Sequence, residues 1–172
     1  MLSKDMNMAL NKQVMMEAES SMAYLSMASW AEQQPGLDGV TSFFYQQSDE
    51  ERLHMLKLIK FINERGGKAE IPSIDKPMDE FSSVKDVFGN FLQHEFKVSE
   101  SINELVETAL KARDFATHSF LQWYVNEQME EERVARQLND KLELIGDDKS
   151  GLYLFDRDIL LQAATASNQS KP

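Results

Sequence analysis

Five glutamates and one histidine carry the chemistry that this sequence can do: Glu17, Glu51, His54, Glu95, Glu127 and Glu131. Each interrupts an apolar seam whose members recur at alternating spacings of three and four, the period of a helix-bundle interface. The seams read Leu10, Val14, Glu17, Ser21, Tyr24, Ala28; then Phe44, Gln47, Glu51, His54, Leu58, Phe61; then Val84, Phe88, Phe91, Glu95, Val98, Ile102, Leu105, Ala109; and last Phe120, Tyr124, Glu127, Glu131, Val134, Leu138. Carboxylates with one imidazole and no sulfur suit iron or manganese better than structural zinc. Glu51 and His54 stand three residues apart and project from one helical face, so Glu51 can bridge two metals while His54 binds one. Glu17 then completes the first metal, and Glu95 with Glu131 the second.

A cation is what makes such a layer tenable. Burying one unpaired carboxylate costs several kcal/mol. Two of them about 5 Å apart repel by about 3 kcal/mol more at an effective dielectric of about 20. No Lys or Arg stands on the seams at that level. A second acidic group adjoins the first: Glu127, Glu130 and Glu131 share a face, and Glu50 precedes Glu51. It reads either as an all-carboxylate third site, weaker and wetter, or as a solvated acidic face. His94, Arg52 and Glu132 read as surface residues, and the ten methionines as core filler rather than ligands.

Four long helices must position these groups. The first runs from about Lys4, capped by Ser3, to Gln33, where Pro35-Gly36 ends it. The second runs from Asp38 to Arg65 and stops at Gly66-Gly67. A stretch from Gly66 to Ser82, with Pro72 and Pro77, has no helical period. The third follows Ser83, with Asp86 in a capping-box arrangement, and ends near Ala112; Asp114 caps the fourth, which runs to Ile145. At about 28 residues each, the helices are roughly 42 Å long. Short turns make antiparallel pairs, and a middle connection of about 17 residues, able to span about 56 Å, crosses the bundle's length. A short fifth helix is expected over Tyr153 to Ala166. The expected organisation is all-α: one four-helix-bundle domain over 1–166, with a long crossover between the second and third helices, and a disordered tail over 167–172.

Composition removes whole classes. A net charge of −11 argues against nucleic acid as a partner and fits attraction of cations. Zero cysteines exclude disulfide scaffolds, thiolate zinc and iron–sulfur clusters. Residues 1–11 show no secretory signal, and no apolar run approaches the roughly 20 residues of a membrane span. A cytoplasmic location is the expectation. Without the metal layer, a helical interaction bundle remains the rival reading; with it, the rival is a di-iron or dimanganese oxidoreductase, which the missing cysteines disfavour.

The motifs Glu50-Glu51-Arg52-Leu53-His54, Phe120-Leu121-Gln122-Trp123-Tyr124-Val125-Asn126-Glu127-Gln128, Glu130-Glu131-Glu132 and Gly151-Leu152-Tyr153 resemble the non-haem bacterial ferritins. The resemblance spans about residues 5 to 160. It implies a ferritin-like bundle, a hollow shell of 24 subunits, oxidation of Fe(II) by O2 or H2O2 at a ferroxidase centre, and storage of a ferric mineral. On that pattern Glu17, Glu51 and His54 match the first iron site, and Glu51, Glu95 and Glu131 the second. Glu50, Glu127, Glu130 and Glu131 match a third. Gln128 matches a neighbour that hydrogen-bonds near the centre, and Tyr24 a tyrosine beside it. Three departures stand out. Val134 takes the place of a second histidine. Arg52 replaces the haem-binding methionine of bacterioferritins, so no haem is expected. His118 and Leu121 stand where animal ferritins line their iron channel with acids.

Overall fold

The computed structural model describes the backbone of residues 2–169 and the side chains of 2–161. Five helices follow one another: α1 (Lys4–Glu32), α2 (Asp38–Glu64), α3 (Val84–Lys111), α4 (Phe115–Ile145) and α5 (Lys149–Gln169). The expected caps form. Ser3 accepts from the Met6 amide at 3.2 Å, and Ser83 from that of Asp86 at 3.1 Å. Asp86 in turn accepts from the amide of Ser82, the residue before the cap, at 2.9 Å, which ties the end of the connection to the first turn of α3. Asp114 accepts from the Thr117 amide at 3.1 Å.

The connection from 66 to 82 carries no regular structure and is tied to the flank of α1. Asn11 donates to the Lys68 carbonyl at 2.9 Å, and Ser26 to that of Met78 at 2.7 Å. These anchors lie fifteen residues apart on α1, about 22 Å of helix, so the connection does traverse the bundle. It makes α2 and α3 parallel while α1–α2 and α3–α4 are antiparallel.

α5 begins four residues before the expected Tyr153, because Asp148 caps it by accepting from the amides of Ser150 (3.2 Å) and Gly151 (2.9 Å). It continues to Gln169, past the expected end at Ala166. Of the expected disordered tail, 170–172 lie outside the described residues. Asp156 of α5 does an unexpected job. Leu37, at the start of α2, offers no capping side chain, and buried Asp156 instead accepts from the amides of Gly39 (3.0 Å) and Val40 (2.8 Å). A Cβ on residue 39 would stand 2.0 Å from the Asp156 carbonyl oxygen, so only glycine admits this approach.

Two apolar clusters fill the interior. One joins Tyr24, Ala28, Phe44, Phe88, Phe91, Leu138 and Phe155. The other joins Leu10, Val14, Leu58, Ile62, Val98, Leu105, Leu121 and Tyr124. Along α1 the first holds Tyr24 onward and the second ends at Val14, so the stretch between them, with Glu17, Ser20 and Ser21 buried, is polar. That layer is where the candidate ligands meet.

The α4 seam holds at Tyr124, Glu131 and Leu138 and differs from expectation by one residue at the other three positions. Leu121, Tyr124, Gln128, Glu131, Ala135, Leu138 and Leu142 are buried, while Phe120, Glu127 and Val134 are half-buried flanks. Adjacent apolar pairs such as Phe120-Leu121 and Val134-Ala135 leave the inward face undecided by pattern alone. Phe61 of α2 gives way to Ile62 in the same manner and stacks on Phe120 at 3.7 Å between ring centroids. The methionines also divide: Met6 and Met27 are core, but Met8 is 55 % exposed and Met129 69 %.

Candidate metal centre

Mid-helix positions of four elements converge in the polar layer: Glu17 on α1, Glu51 and His54 on α2, Glu95 on α3, Glu131 on α4. All four glutamates are buried. Glu17, Glu51 and His54 bring one ligand atom each within 4.8 Å of one another. The His54 Nδ1 lies 3.3 Å from Glu51 Oε2 and 4.0 Å from Glu17 Oε2. Gln13, one turn before Glu17, donates to Glu17 Oε1 at 2.8 Å and accepts from Ser101 at 2.7 Å, fixing that carboxylate's rotation. Trp123 meets the His54 ring edge-on at 5.1 Å. Tyr124 donates to the His54 carbonyl at 2.8 Å.

The other half is held differently. Both oxygens of Glu95 accept from neutral donors, Oε1 from the Tyr24 hydroxyl and Oε2 from Gln128 Nε2 at 2.6 Å. Tyr24 and Gln128 therefore touch one and the same ligand. Glu131 sits close enough to Glu95 to feel its charge.

Among the described residues no Lys or Arg pairs with Glu17, Glu51, Glu95 or Glu131, and their proton affinities reflect this. Burial pushes Glu17 well above the usual carboxylate range, and the Glu51 charge adds to it. Burial raises Glu51 to about 8, with repulsion from Glu95, Glu131 and Glu50 adding to it. Burial also raises Glu131 to about 8, and Glu95, Glu50, Glu127 and Glu130 contribute by repulsion. Burial lifts Glu95 only to about 6, because Tyr24 and Gln128 stabilise its ionised form. Glu51 Oε2 has no hydrogen-bond donor. A buried carboxyl oxygen without a hydrogen-bond partner, beside an imidazole nitrogen and a second carboxyl group, fits a divalent cation that displaces the proton.

The second acidic group lines one cavity of about 580 Å3. Glu50, Glu127, Glu130 and Glu131 share it with Gln46, Gln47 and Ile159 of α5. Glu50 accepts from Gln46 and Gln47, each at 2.9 Å. Exposed Glu130 is paired with Arg133, whose Nε donates to Oε2 at 2.9 Å. Among the described residues three of these acids have no ion pair and the fourth is shared with Arg133, which lines the cavity together with Lys141.

Two surface expectations are corrected. His94 is half-buried, with Nε2 2.8 Å from the Ser20 hydroxyl and its ring edge-on to Tyr24 at 5.5 Å; burial pushes it down to about 4, and Lys97 contributes. The Glu132 side chain is 20 % exposed, accepts from Ser99 and pairs with Arg136. Arg52 is exposed, as expected. Gln13 was legible only as a polar residue four positions before Glu17, on the same face.

A family model for the ferritin-like domain matches residues 7–145. The bacterial non-heme ferritin of Campylobacter jejuni is 42 % identical over 159 residues, which is 92 % of this chain and 95 % of that protein. That of Staphylococcus haemolyticus is 40 % identical over the same shares. The open-pore ferritin of the hyperthermophilic archaeon Archaeoglobus fulgidus superposes with a TM-score of 0.91 at 41 % identity, over 94 % of this chain and 99 % of that one.

Proposed function

We propose that this chain, which belongs to the ferritin family, is an iron-storing subunit that oxidises Fe(II) in its own interior before the iron is laid down as mineral. The observation that carries the oxidation step is the buried carboxylate layer with one imidazole and no protein cation. In this reading Glu17 and His54 hold one Fe(II), Glu51 bridges, and Glu95 with Glu131 hold the second. Glu50, Glu127, Glu130 and Glu131 form a third, wetter iron site in the adjoining cavity.

Each Fe(II) supplies one electron. With O2, two electrons and two protons give H2O2; with H2O2, two electrons and two protons give two waters. Raised carboxyl groups release protons as iron binds, so the site itself is one source of them. Anionic oxygens favour Fe(III) over Fe(II), which drives oxidation. Glu17, oriented by Gln13, and Glu51, whose Oε2 has no donor, are the groups on which this preference rests.

The subunit assembles into a shell with its copies. We read that shell as 24 subunits, haem-free because Arg52 offers no thioether, and cytoplasmic. Among the described residues no helix is long and apolar enough to cross a membrane. The folded unit is one domain over 1–166.

Stopped-flow Fe(II) oxidation, with iron retained per particle and particle mass measured on the same preparation, tests the reading. Fast oxidation, retention of many irons and a mass of several hundred kDa are expected. Elution as the 19.7 kDa monomer, or oxidation no faster than in buffer, would sink it.

A further inference from the structure

Two buried side-chain oxygens lack a hydrogen-bond partner among the described residues, Glu51 Oε2 and Gln47 Oε1. They belong to residues four apart, one above the other on the inward face of α2. Gln47 is 7 % exposed and lines the acidic cavity together with Glu50, Glu127 and Glu131. Its amide cannot be turned over to relieve the oxygen. Nε2 donates to Glu50 Oε2 at 2.9 Å, and the reverse orientation would set two acceptors against each other. Glu50 therefore dictates where Gln47 Oε1 points. A buried neutral carbonyl oxygen with no donor, on a residue that lines the acidic cavity one turn from buried Glu51, is complementary to a cation or to its water of hydration.

Resting on the reading of the cavity as an iron site, we infer that Gln47 is an oxygen ligand, direct or through one water, for a divalent cation held at Glu50, and that it stands on the path between that cation and Glu51. The amide serves both ends: its N–H orients Glu50 and its carbonyl receives the metal. It adds no charge to a region already crowded with carboxylates. A neutral oxygen also holds a cation loosely enough to pass it on.

Zn(II), which undergoes no oxidation, is the probe. Calorimetric titration of the full assembled protein, beside Glu50→Ala, identifies the binding step that depends on the cavity. In Gln47→Met, which keeps the volume and removes both functions of the amide, that step weakens about tenfold, the scale at which residues orienting a ligand act. Gln47→Glu returns an oxygen and restores the step to the wild-type level or tighter. A packing role predicts the opposite order, since buried Met is tolerated better than a further buried carboxylate. Wild-type Zn(II) binding in Gln47→Met, tighter binding in Gln47→Met than in Gln47→Glu, or the lack of any Glu50-dependent step each overturns the inference. None of these results touches the dinuclear reading, which stands or falls on Fe(II) oxidation. In Gln47→Met the recovery of the oxidation rate between a first and second addition of Fe(II) is slowed about tenfold relative to the first turnover; recovery at the wild-type ratio overturns the transfer role.

Discussion

The two halves of the buried site solve the same problem in opposite ways. Around Glu17, Glu51 and His54 the ligand atoms are already gathered, and burial leaves Glu17 and Glu51 holding protons well above the usual carboxylate range. Around Glu95 the carboxylate is equally buried, yet hydrogen bonds from Tyr24 and Gln128 occupy both its oxygens and hold it to about 6. Glu17 and Glu51 wait for a cation, as does Glu131, also raised to about 8; Glu95 has substituted neutral donors for one. The first metal should therefore enter the triad against protons, and the second must draw Glu95 away from Tyr24 and Gln128. Order of filling follows from hydrogen bonding rather than from ligand count.

Removing the residue common to both halves breaks the comparison altogether. Glu51→Ala is expected to slow Fe(II) oxidation by at least about 100-fold, beyond the range seen for residues that only orient ligands. Stopped-flow absorbance checks this, and an unchanged rate would falsify the bridging role. Separating the halves comes next. His54→Ala should weaken the first Zn(II) bound by about 10- to 100-fold, whereas Glu95→Ala should spare the first and weaken the second; calorimetry that found the two variants alike would make the halves equivalent.

Stability of the metal-free protein gives a further contrast. Glu17, Glu51 and Glu131 are raised in the fold above their unfolded range near 4.5, Glu51 and Glu131 to about 8. Their protonated forms stabilise the fold below that range, and this stability is lost as pH rises toward 8. Metal-free protein should thus melt several degrees lower at pH 8.5 than at pH 5.5, and Glu17→Gln should recover roughly 2–8 °C at the higher pH. Differential scanning calorimetry with chelator reads both; a melting temperature that climbs over that window rules the account out. The smallest effect belongs to Tyr24→Phe. It frees Glu95 Oε1 from a hydrogen bond of about 1 kcal/mol, so second-site Zn(II) affinity should rise about fivefold at pH 8. A fall in that affinity would show Tyr24 helping the metal rather than competing with it.

Much of this was readable in advance, for identifiable reasons. The seam on α3 has a single apolar face, so period alone places Glu95 inward; on α1, exposed Met8, Met15 and Met22 blur the face, and Glu17 is placed by its spacing from Leu10, Val14 and Tyr24. On α4, apolar residues on both sides of the seam left the register open, and burial fell on Gln128 where Glu127 was expected. The acids of the site were visible as charges out of place. Of the neutral groups that orient them, Gln13 looks like an ordinary helix residue until Glu17 is fixed in space, while Gln47 stands on the α2 seam but shows no role until Glu50 is placed. His94 was misplaced because its surroundings come from α1, far away in sequence. The start of α5 was missed because Gly151 reads as a break, although Asp148 caps the helix through it.

The carboxylate that closes the first turn of α2 comes from residue 156, a separation of 117 along the chain from Gly39. On a ribosome adding about 5–20 residues per second, α2 would leave the tunnel and wait roughly 6–23 s for its cap. Over that interval the helix bearing Glu50, Glu51 and His54 lacks a stabilising contact worth about 1 kcal/mol. Completion of the helix that bears these candidate ligands is thereby tied to the arrival of the last one, and a prematurely terminated chain would carry them on a helix whose beginning is unfinished.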